Sequence, residues 1–276
     1  MGLLNKLRSL LFWSEVEPAD PIAEARILDV PSGTNYRDLG GYDTPHGKTC
    51  YRRFVRSATT AYLTDTDLTR LERYGVCRVL DLRSSLESPK TSDRFVRRTG
   101  IKWLNVPLFD YDLSDPKLSG VPIPSGNYLI DGYISMLSNR EAVREIFEFF
   151  AGTPKGGAVL FHCAAGMDRT GMCAMLLLGL AEVPRKQIVA DYLYSFASIR
   201  EVDRIVFEGR DFVERPGKWD PLPSRLQAIE FMLDRLEEGY GNARNYLRAC
   251  GISEGDLDAV FEMLTVAPCV TDGSDN

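Results

Sequence analysis

The chain has 276 residues, of which 44% are hydrophobic and 26% are charged, a composition typical of soluble globular proteins. Its formal net charge of −6 argues against nucleic acid as the main partner, so an anionic ligand would need a local positive site. The six cysteines include no C-x-x-C pair, which excludes a disulfide framework and the usual zinc patterns. No stretch approaches the roughly 18 apolar residues that a membrane-spanning helix requires.

The two ends of the chain differ in composition from its middle. Residues 1–13 carry leucines at helical spacing, which favours a short helix docked on the domain, or a frayed terminus, over a helix that binds a membrane surface or a partner. Residues 14–25 are acidic and contain prolines, as a linker does, and the polar tail over 267–276 is predicted to be disordered. We therefore expect an N-terminal helix and linker over 1–25, one domain over 26–266, and the tail.

In chain order, the first clear elements are a helix and a strand. Thr64 and Asp67 have the spacing of a capping box, which predicts that a helix begins there and ends at Gly75. The apolar sequence over 76–82 predicts a buried strand, with Asp81 near its C-terminal end.

The later elements continue the alternation of strand and helix. They are a strand over 102–108, a helix capped by Asn139 that stops near Gly152, a strand over 157–161, a core helix over 169–181, and helices beginning at Pro184, Ser224 and Ser253. This order favours an α/β fold, in which a central, mainly parallel sheet is flanked by helices and followed by a helical C-terminal part. The irregular insertion over 209–223 is a candidate lid or substrate-contacting loop.

One short stretch, LFHCAAGMDRTGM over 160–172, joins the predicted strand to the core helix. Gly166 allows a sharp turn, and the backbone N–H groups of such a loop form an anion nest beside the positive end of the helix. That surrounding and Arg169 should lower the pKa of Cys163 below the usual ~8.5. Arg169 also offers a planar fork to two phosphate oxygens. The pattern predicts a cysteine that attacks phosphorus, whereas the alternative is a buried structural cysteine beside a helix-capping arginine.

HCAAGMDRTG, over 162–171, resembles the HCxxGxxR[ST] loop of cysteine-dependent phosphatases. More narrowly, it resembles the atypical bacterial and fungal tyrosine phosphatase family, whose loop reads HCxAGKDRTG. Three further stretches are similar to motifs of that family: GTNYRDLGGY over 33–42, the R-S to D-L-R-S-x-x-E block over 56–87, and the helical segment over 240–264. The resemblance runs from about residue 28 to residue 265.

The resemblance implies a phosphomonoesterase that needs neither metal nor cofactor. Cys163 would be the nucleophile, Arg169 would clamp the phosphate, and Thr170 would bond to the cysteine sulfur and help it leave. His162 would orient the loop rather than carry protons. The backbone N–H groups of the oxyanion site would be those of Ala164, Ala165, Gly166, Met167, Asp168 and Arg169.

Position 167 departs from the family pattern, because Met167 stands where the family has lysine. Loss of that charge from the loop rim should weaken binding of polyanionic inositol phosphates more than binding of phosphotyrosine. The expected activity is therefore that of a protein-tyrosine phosphatase. The alternatives are a phosphoinositide or inositol-phosphate phosphatase, and a catalytically weak module that binds phosphorylated partners.

The general acid has three candidate positions. Asp168, inside the loop, is favoured, and myotubularin-type lipid phosphatases have a similar aspartate in their loop. Asp81 comes from a neighbouring strand end, where its alternative role is to pair with an arginine. Asp110 and Asp112 follow the next predicted strand and are the third choice.

Three charged residues of the other motifs, Arg37, Asp38 and Glu87, are expected to support the loop through salt bridges. The expected partner is a phosphotyrosine-containing protein or another phosphomonoester. A reactive thiolate suits a reducing compartment, so we expect the cytoplasm, or a host cell's cytosol after secretion.

Overall fold

The computed structural model describes residues 25–85, 87–88, 93–98, 100–109, 127–206 and 222–266. Several expectations fall outside the described residues: the helix and linker up to residue 24, Asp110 and Asp112, the part of the insertion over 209–221, and the tail over 267–276. Among the described helices, none combines the length and the apolar character that crossing a membrane requires.

A five-stranded sheet lies at the centre of the described structure, beside a separate two-stranded hairpin. The strands are β1 (Arg37–Asp38), β2 (Asp43–Thr44), β3 (Gly47–Lys48), β4 (Phe54–Ser57), β5 (Val76–Asp81), β6 (Lys102–Asn105) and β7 (Ala158–His162). The sheet order is β1-β4-β7-β5-β6, and only the pair of β1 with β4 is antiparallel. The predicted, mainly parallel α/β sheet is therefore confirmed.

The register of the parallel strands brings four strand ends side by side. Ser57 and Asp81 lie on either side of His162, and Asn105 lies beyond Asp81. Because the carboxyl ends of parallel strands meet at one edge of the sheet, the loop that follows His162 sits at the ligand-binding edge of an α/β fold.

Eight α-helices are described. They are α1 (Asp65–Tyr74), α2 (Tyr128–Ser138), α3 (Arg140–Ala151), α4 (Asp168–Leu180), α5 (Arg185–Val206), α6 (Leu222–Tyr240), α7 (Ala243–Ala249) and α8 (Glu254–Thr265), and a 3₁₀-helix spans Arg94–Arg97. The caps predicted at Thr64, Asn139 and Ser253 are confirmed by side-chain bonds to backbone N–H groups. Gly75 ends α1 with a φ of 109°, in the left-handed region.

Most boundaries lie within one residue of the predictions, and two differ by more. Ser224 does not cap a helix, because α6 begins at Leu222; Pro223 can occupy the first helical turn, where a missing backbone N–H leaves no bond unmade. The strand predicted over 102–108 ends at Asn105, two residues before Pro107, which has no N–H to donate to a ladder.

Each face of the sheet contacts its own apolar core. Alternate residues of one strand point to opposite faces. Accordingly, Val79 packs with the side chains of α1, whereas Leu80 packs in the larger core formed with α2 to α8. Helix α4 is buried almost all round, which explains why its sequence is apolar on every face. This helix fixes the position of the loop that precedes it.

Candidate active site

The loop between β7 and α4 starts at Cys163, which is buried. Gly166 has a φ of +70°, and its backbone N–H donates to the Cys163 Sγ over 3.3 Å. A Cβ atom at Gly166 would lie 2.4 Å from the backbone of Ser57, so the loop lies directly against the end of β4. Only glycine combines this conformation with this close approach.

The carbonyl groups of the loop are bound from behind. The bonds run from Asn35 Nδ2 to the Ala165 and Gly166 oxygens (3.2 and 3.0 Å), from Arg56 Nη2 to the Gly166 oxygen (2.8 Å), and from the Thr59 N–H to the Ala164 oxygen (3.0 Å). Carbonyls that point away from the centre leave the N–H groups to converge on it, which is the arrangement of an anion nest.

Arg169 lies in the first turn of α4, where both terminal nitrogens donate to the Glu87 carboxylate, Nη2 over 3.0 Å. Burial alone would lower the pKa of Arg169, but the charges of Cys163 and Glu87 raise it above its ordinary value. The Arg169 Nε and the Thr170 Oγ1 are buried and have no hydrogen-bond partner among the described residues. A buried donor without a partner costs about 1–3 kcal/mol, so these two atoms mark a place for an acceptor.

His162 is fully buried beneath the loop. Its Nε2 lies 2.8 Å from the Asp93 Oδ2, its Nδ1 lies 3.2 Å from the Cys163 carbonyl, and Asp81 is 3.9 Å away. Burial alone would lower the pKa of His162, but Asp81 and Asp93 raise it. The ring thus contacts the backbone of Cys163 and buried carboxylates, which fits the predicted orienting role.

Asp81 has 0% exposure and is bound by Arg83 through both carboxylate oxygens, at 2.7 to 3.1 Å. Burial would raise its pKa, but His162 and Arg83 hold the pKa of Asp81 below its ordinary value. Asp81, Asp93 and His162 bring three potential metal-ligand atoms within 4.8 Å of one another. The Arg83 guanidinium and a protonated His162 balance the two carboxylates, so this cluster is fitted to a proton rather than to a metal ion.

Asp168 begins α4, and its side chain is 18% exposed. The Asp168 Oδ1 accepts from the Tyr133 hydroxyl and, over 2.8 Å, from the Arg225 Nη1. Burial would raise its pKa, but Arg225 and Tyr133 hold the pKa of Asp168 below its ordinary value. Sequence reasoning missed both partners, since they lie 35 and 57 residues away in regions without a motif.

The Met167 side chain is 1% exposed, which corrects the expectation that residue 167 stands at the loop rim. An uncharged side chain has no head group to keep in water, and it packs into the core instead. Residue 167 therefore presents no side chain at the loop rim. The predicted contribution of its backbone N–H to the oxyanion site does not depend on where the side chain points.

Arg37 supports the loop indirectly, through Asn35. It donates to Asn35, which binds the loop carbonyls, and to the Asp191 carboxylate over 2.8 Å. Arg56 reaches the same carboxylate, and burial alone would raise the pKa of Asp191 but the two arginines lower it. Arg56 and Asp191 are further loop-supporting residues that sequence reasoning missed.

Asp38 has a different task from that of Arg37. Its Oδ1 accepts from the Gly40 N–H over 2.6 Å, and its Oδ2 accepts from the Arg52 N–H (2.8 Å) and the Tyr74 hydroxyl (2.7 Å). Burial raises the pKa of Asp38 to about 6. These bonds hold the turn after β1 and lie away from the loop of Cys163.

The geometry defines the site of a cysteine-dependent phosphatase: a buried cysteine at the end of a parallel strand, an anion nest, and an arginine in the first turn of the next helix. Residues 28–266 match the model of the tyrosine phosphatase family.

The chain is also similar to curated relatives. A tyrosine-protein phosphatase of Nostoc commune is 32% identical over 213 residues, which are 74% of this chain and 71% of the relative. The triple specificity protein phosphatase PtpB of Mycobacterium tuberculosis is 27% identical over 86% of this chain and 99% of its own. The chain belongs to the tyrosine phosphatase family, and it is a phosphomonoester hydrolase. The predicted family and enzyme class are thus confirmed.

Proposed function

We propose that the protein hydrolyses phosphotyrosine in proteins through a cysteinyl-phosphate intermediate, without a metal. The observation that carries this proposal is a pair of buried donors, Arg169 Nε and Thr170 Oγ1, for which the described residues supply no acceptor, on the helix that follows Cys163. A bound phosphoryl group would supply the acceptor for the Arg169 donor, and the cysteine sulfur would supply one for Thr170.

In the first step, the Cys163 thiolate attacks phosphorus, and the bond from phosphorus to the tyrosine oxygen breaks. Asp168 gives its proton to the leaving oxygen. In the second step, water attacks the phosphorus, Asp168 takes a proton from that water, and the bond from phosphorus to sulfur breaks. Thr170 donates to the departing sulfur, so the thiolate and the protonated Asp168 are regenerated.

Asp168 suits the acid–base role better than Asp81 does. Arg83 occupies both oxygens of Asp81, and the carboxyl group has 0% exposure, so a leaving oxygen could not reach it. Asp168 keeps an exposed part of its side chain at the start of α4. In the free enzyme Asp168 is ionised, and the negative charge of a bound phosphoryl group would raise its pKa and favour protonation.

The substrate preference rests on charge. Arg169 is the only lysine or arginine in the loop sequence over 162–171, and Met167 contributes no charge. Hydrolysis of phosphoinositides or inositol phosphates is kept as a second candidate activity, because the relative from Mycobacterium tuberculosis is named a triple specificity phosphatase. For the compartment we infer a reducing one, the cytoplasm or a host cell's cytosol, because the five described cysteines are all free.

The test is steady-state hydrolysis of p-nitrophenyl phosphate. We expect turnover that vanadate inhibits and EDTA does not, and that Cys163→Ser abolishes. Cys77→Ser, at a half-buried cysteine on β5, is the matched control and should keep full activity. Activity that survives in Cys163→Ser would refute the mechanism, and a wild-type protein that binds phosphopeptides without turnover would support a binding module. Comparing phosphopeptides with phosphoinositides then tests the preference, since faster lipid hydrolysis would reverse it.

A further inference from the structure

Side chains from three helices other than its own form a hydrogen-bonded group with Asp168. Tyr133 on α2 and Tyr192 on α5 have hydroxyl oxygens 2.5 Å apart, and the Tyr133 hydroxyl contacts the Asp168 Oδ1. Arg225 on α6 donates from one nitrogen, Nη1, to the Asp168 Oδ1 over 2.8 Å and to the Tyr192 hydroxyl over 3.3 Å. The four side chains close a ring of hydrogen bonds, which we name the Asp168 ring.

The ring can be satisfied in one direction. The Tyr133 hydroxyl donates its hydrogen bond to Asp168, so its oxygen accepts from Tyr192, whose own oxygen accepts from Arg225. Tyr133 and Tyr192 are buried and Arg225 is 3% exposed, so water cannot replace these bonds. The two hydroxyl groups and the Arg225 Nη1 all keep their acceptors within the ring only while the Asp168 Oδ1 carries no proton.

The ring therefore gives the two oxygens of Asp168 different tasks. Oδ1 accepts two hydrogen bonds, whereas Oδ2 accepts none from the side chains and backbone that the structure describes. Oδ2 is left as the oxygen that can carry a proton to a leaving group or take one from water.

Among the described residues, the titratable and charged groups that act on Asp168 come from four helices. They are Tyr133 from α2, Tyr192 from α5, Arg225 from α6 and Arg169 from α4 itself. Burial and the Asp168 charge raise the pKa of Tyr133 well above its ordinary value, and burial raises that of Tyr192 to about 12. Both tyrosines therefore stay protonated, and Arg225 supplies the positive charge on the side of Asp168 away from its own helix.

We propose that Arg225 is a positioning residue of the hydrolysis, which through the Asp168 ring anchors Oδ1 and directs Oδ2 to move the proton. The proposal rests on the proposed function in one respect, the acid–base role of Asp168. It adds that a residue of α6, 57 positions further along the chain, controls when that carboxyl group binds its proton.

The test compares Arg225→Gln with Arg225→Lys, and uses Arg235→Gln, at an exposed arginine of the same helix, as the matched control. Without the charge of Arg225, Asp168 should bind its proton more readily. The second step needs ionised Asp168 as a base, so the acid limb of the kcat profile should move to higher pH in Arg225→Gln. The first step needs protonated Asp168 as an acid, so the alkaline limb of the kcat/KM profile should move to higher pH as well. Arg225→Lys should restore most of both limbs, and Arg235→Gln should leave them where the wild type has them.

Loss of the anchor should also change the dependence on the leaving group. We expect kcat/KM of Arg225→Gln to fall about tenfold for phenyl phosphate and much less for p-nitrophenyl phosphate, because acid catalysis worth about 10²–10⁴ matters only for a poor leaving group. Tyr133→Phe, which removes a donor to the same oxygen, should act in the same direction. In an Asp168→Asn background neither substitution should have a further effect on this ratio.

A measurement without turnover separates this proposal from the proposed function. Titration of the Asp168 carboxyl carbon by NMR should give a higher pKa in Arg225→Gln and in Tyr133→Phe than in the wild type. An unchanged titration, or a fall in activity with unmoved pH limbs, would overturn the role of Arg225 while leaving Cys163 untouched. If the titration shifts but the wild type has no activity, the proposed function fails and the ring remains. Should Arg225→Gln not fold, the Tyr133→Phe titration decides alone.

Discussion

Asp81 and Asp168 are two carboxylates beside one phosphate loop, and they differ in whether a carboxylate oxygen remains accessible. Arg83 binds both oxygens of Asp81, which has 0% exposure, whereas the Asp168 ring binds one oxygen of a side chain that is 18% exposed. Both groups have a pKa below the ordinary value, so the pKa alone does not distinguish them. The difference shows that a carboxyl group near a site can serve as an acid only if one of its oxygens can be reached.

The largest expected effect tests this comparison directly. Asp168→Asn should lower kcat/KM for phenyl phosphate by about 10²–10³ and much less for p-nitrophenyl phosphate, because the proton for a poor leaving group is lost. Steady-state kinetics on the two substrates measures the ratio. Asp43→Asn, at an exposed aspartate of β2, is the control.

Asp81→Asn should behave differently from Asp168→Asn. It removes the negative charge that faces the buried Arg83 guanidinium. We therefore expect a loss of stability of about 3–5 kcal/mol and an equal loss of activity on both substrates. Urea unfolding gives the stability. If Asp81→Asn is selective for the poor leaving group and Asp168→Asn is not, the assignment of the acid must be exchanged.

A third carboxylate acts on the arginine rather than on the proton. Glu87 binds both terminal nitrogens of Arg169, and although burial opposes it, Arg169 holds the pKa of Glu87 below its ordinary value. Glu87→Gln should loosen the clamp and lower kcat/KM about tenfold for both aryl phosphates, with weaker vanadate inhibition. Glu72→Gln, at a partly exposed glutamate paired with Arg98, is the control. Unchanged vanadate inhibition would contradict the positioning of Arg169 by Glu87.

The buried His162, which lies between Asp81 and Asp93, should make the stability of the protein depend on pH. His162 has a pKa raised above 6.5 in the folded protein, so its stabilisation is fully present below pH 6.5 and is lost as the pH rises through the folded pKa. One proton gives a slope of at most about 1.4 kcal/mol per pH unit. Asp93→Asn removes the partner of Nε2 and should flatten this slope in urea unfolding between pH 6 and 9, while His46→Asn, at an exposed histidine, is the control. The same slope in Asp93→Asn as in the wild type would contradict the pairing.

The parts that the sequence predicted well are those whose signals are local. Thr64 and Ser253 cap their helices through bonds to backbone three residues away, and such spacing can be recognised in the sequence. Cys163 and Arg169 stand in one motif for the same reason. Arg225 and Tyr133 carry no such signal, because only the tertiary packing of α2 and α6 brings them to Asp168. The buried position of Met167 likewise follows from packing and not from the motif.

The smallest expected effect concerns substrate choice, at the position where the loop departs from its family pattern. Met167→Lys should raise the ratio of phosphoinositide to phosphotyrosine hydrolysis about fivefold, because one charge pair at 4 Å in water contributes about 1 kcal/mol. The gain requires the new side chain to leave the core in which Met167 packs, so some loss of stability should accompany it. Met167→Gln, similar in length but uncharged, is the matched control. If both variants change the ratio equally, packing rather than charge at position 167 determines the preference. The loop then does not select its substrate by charge.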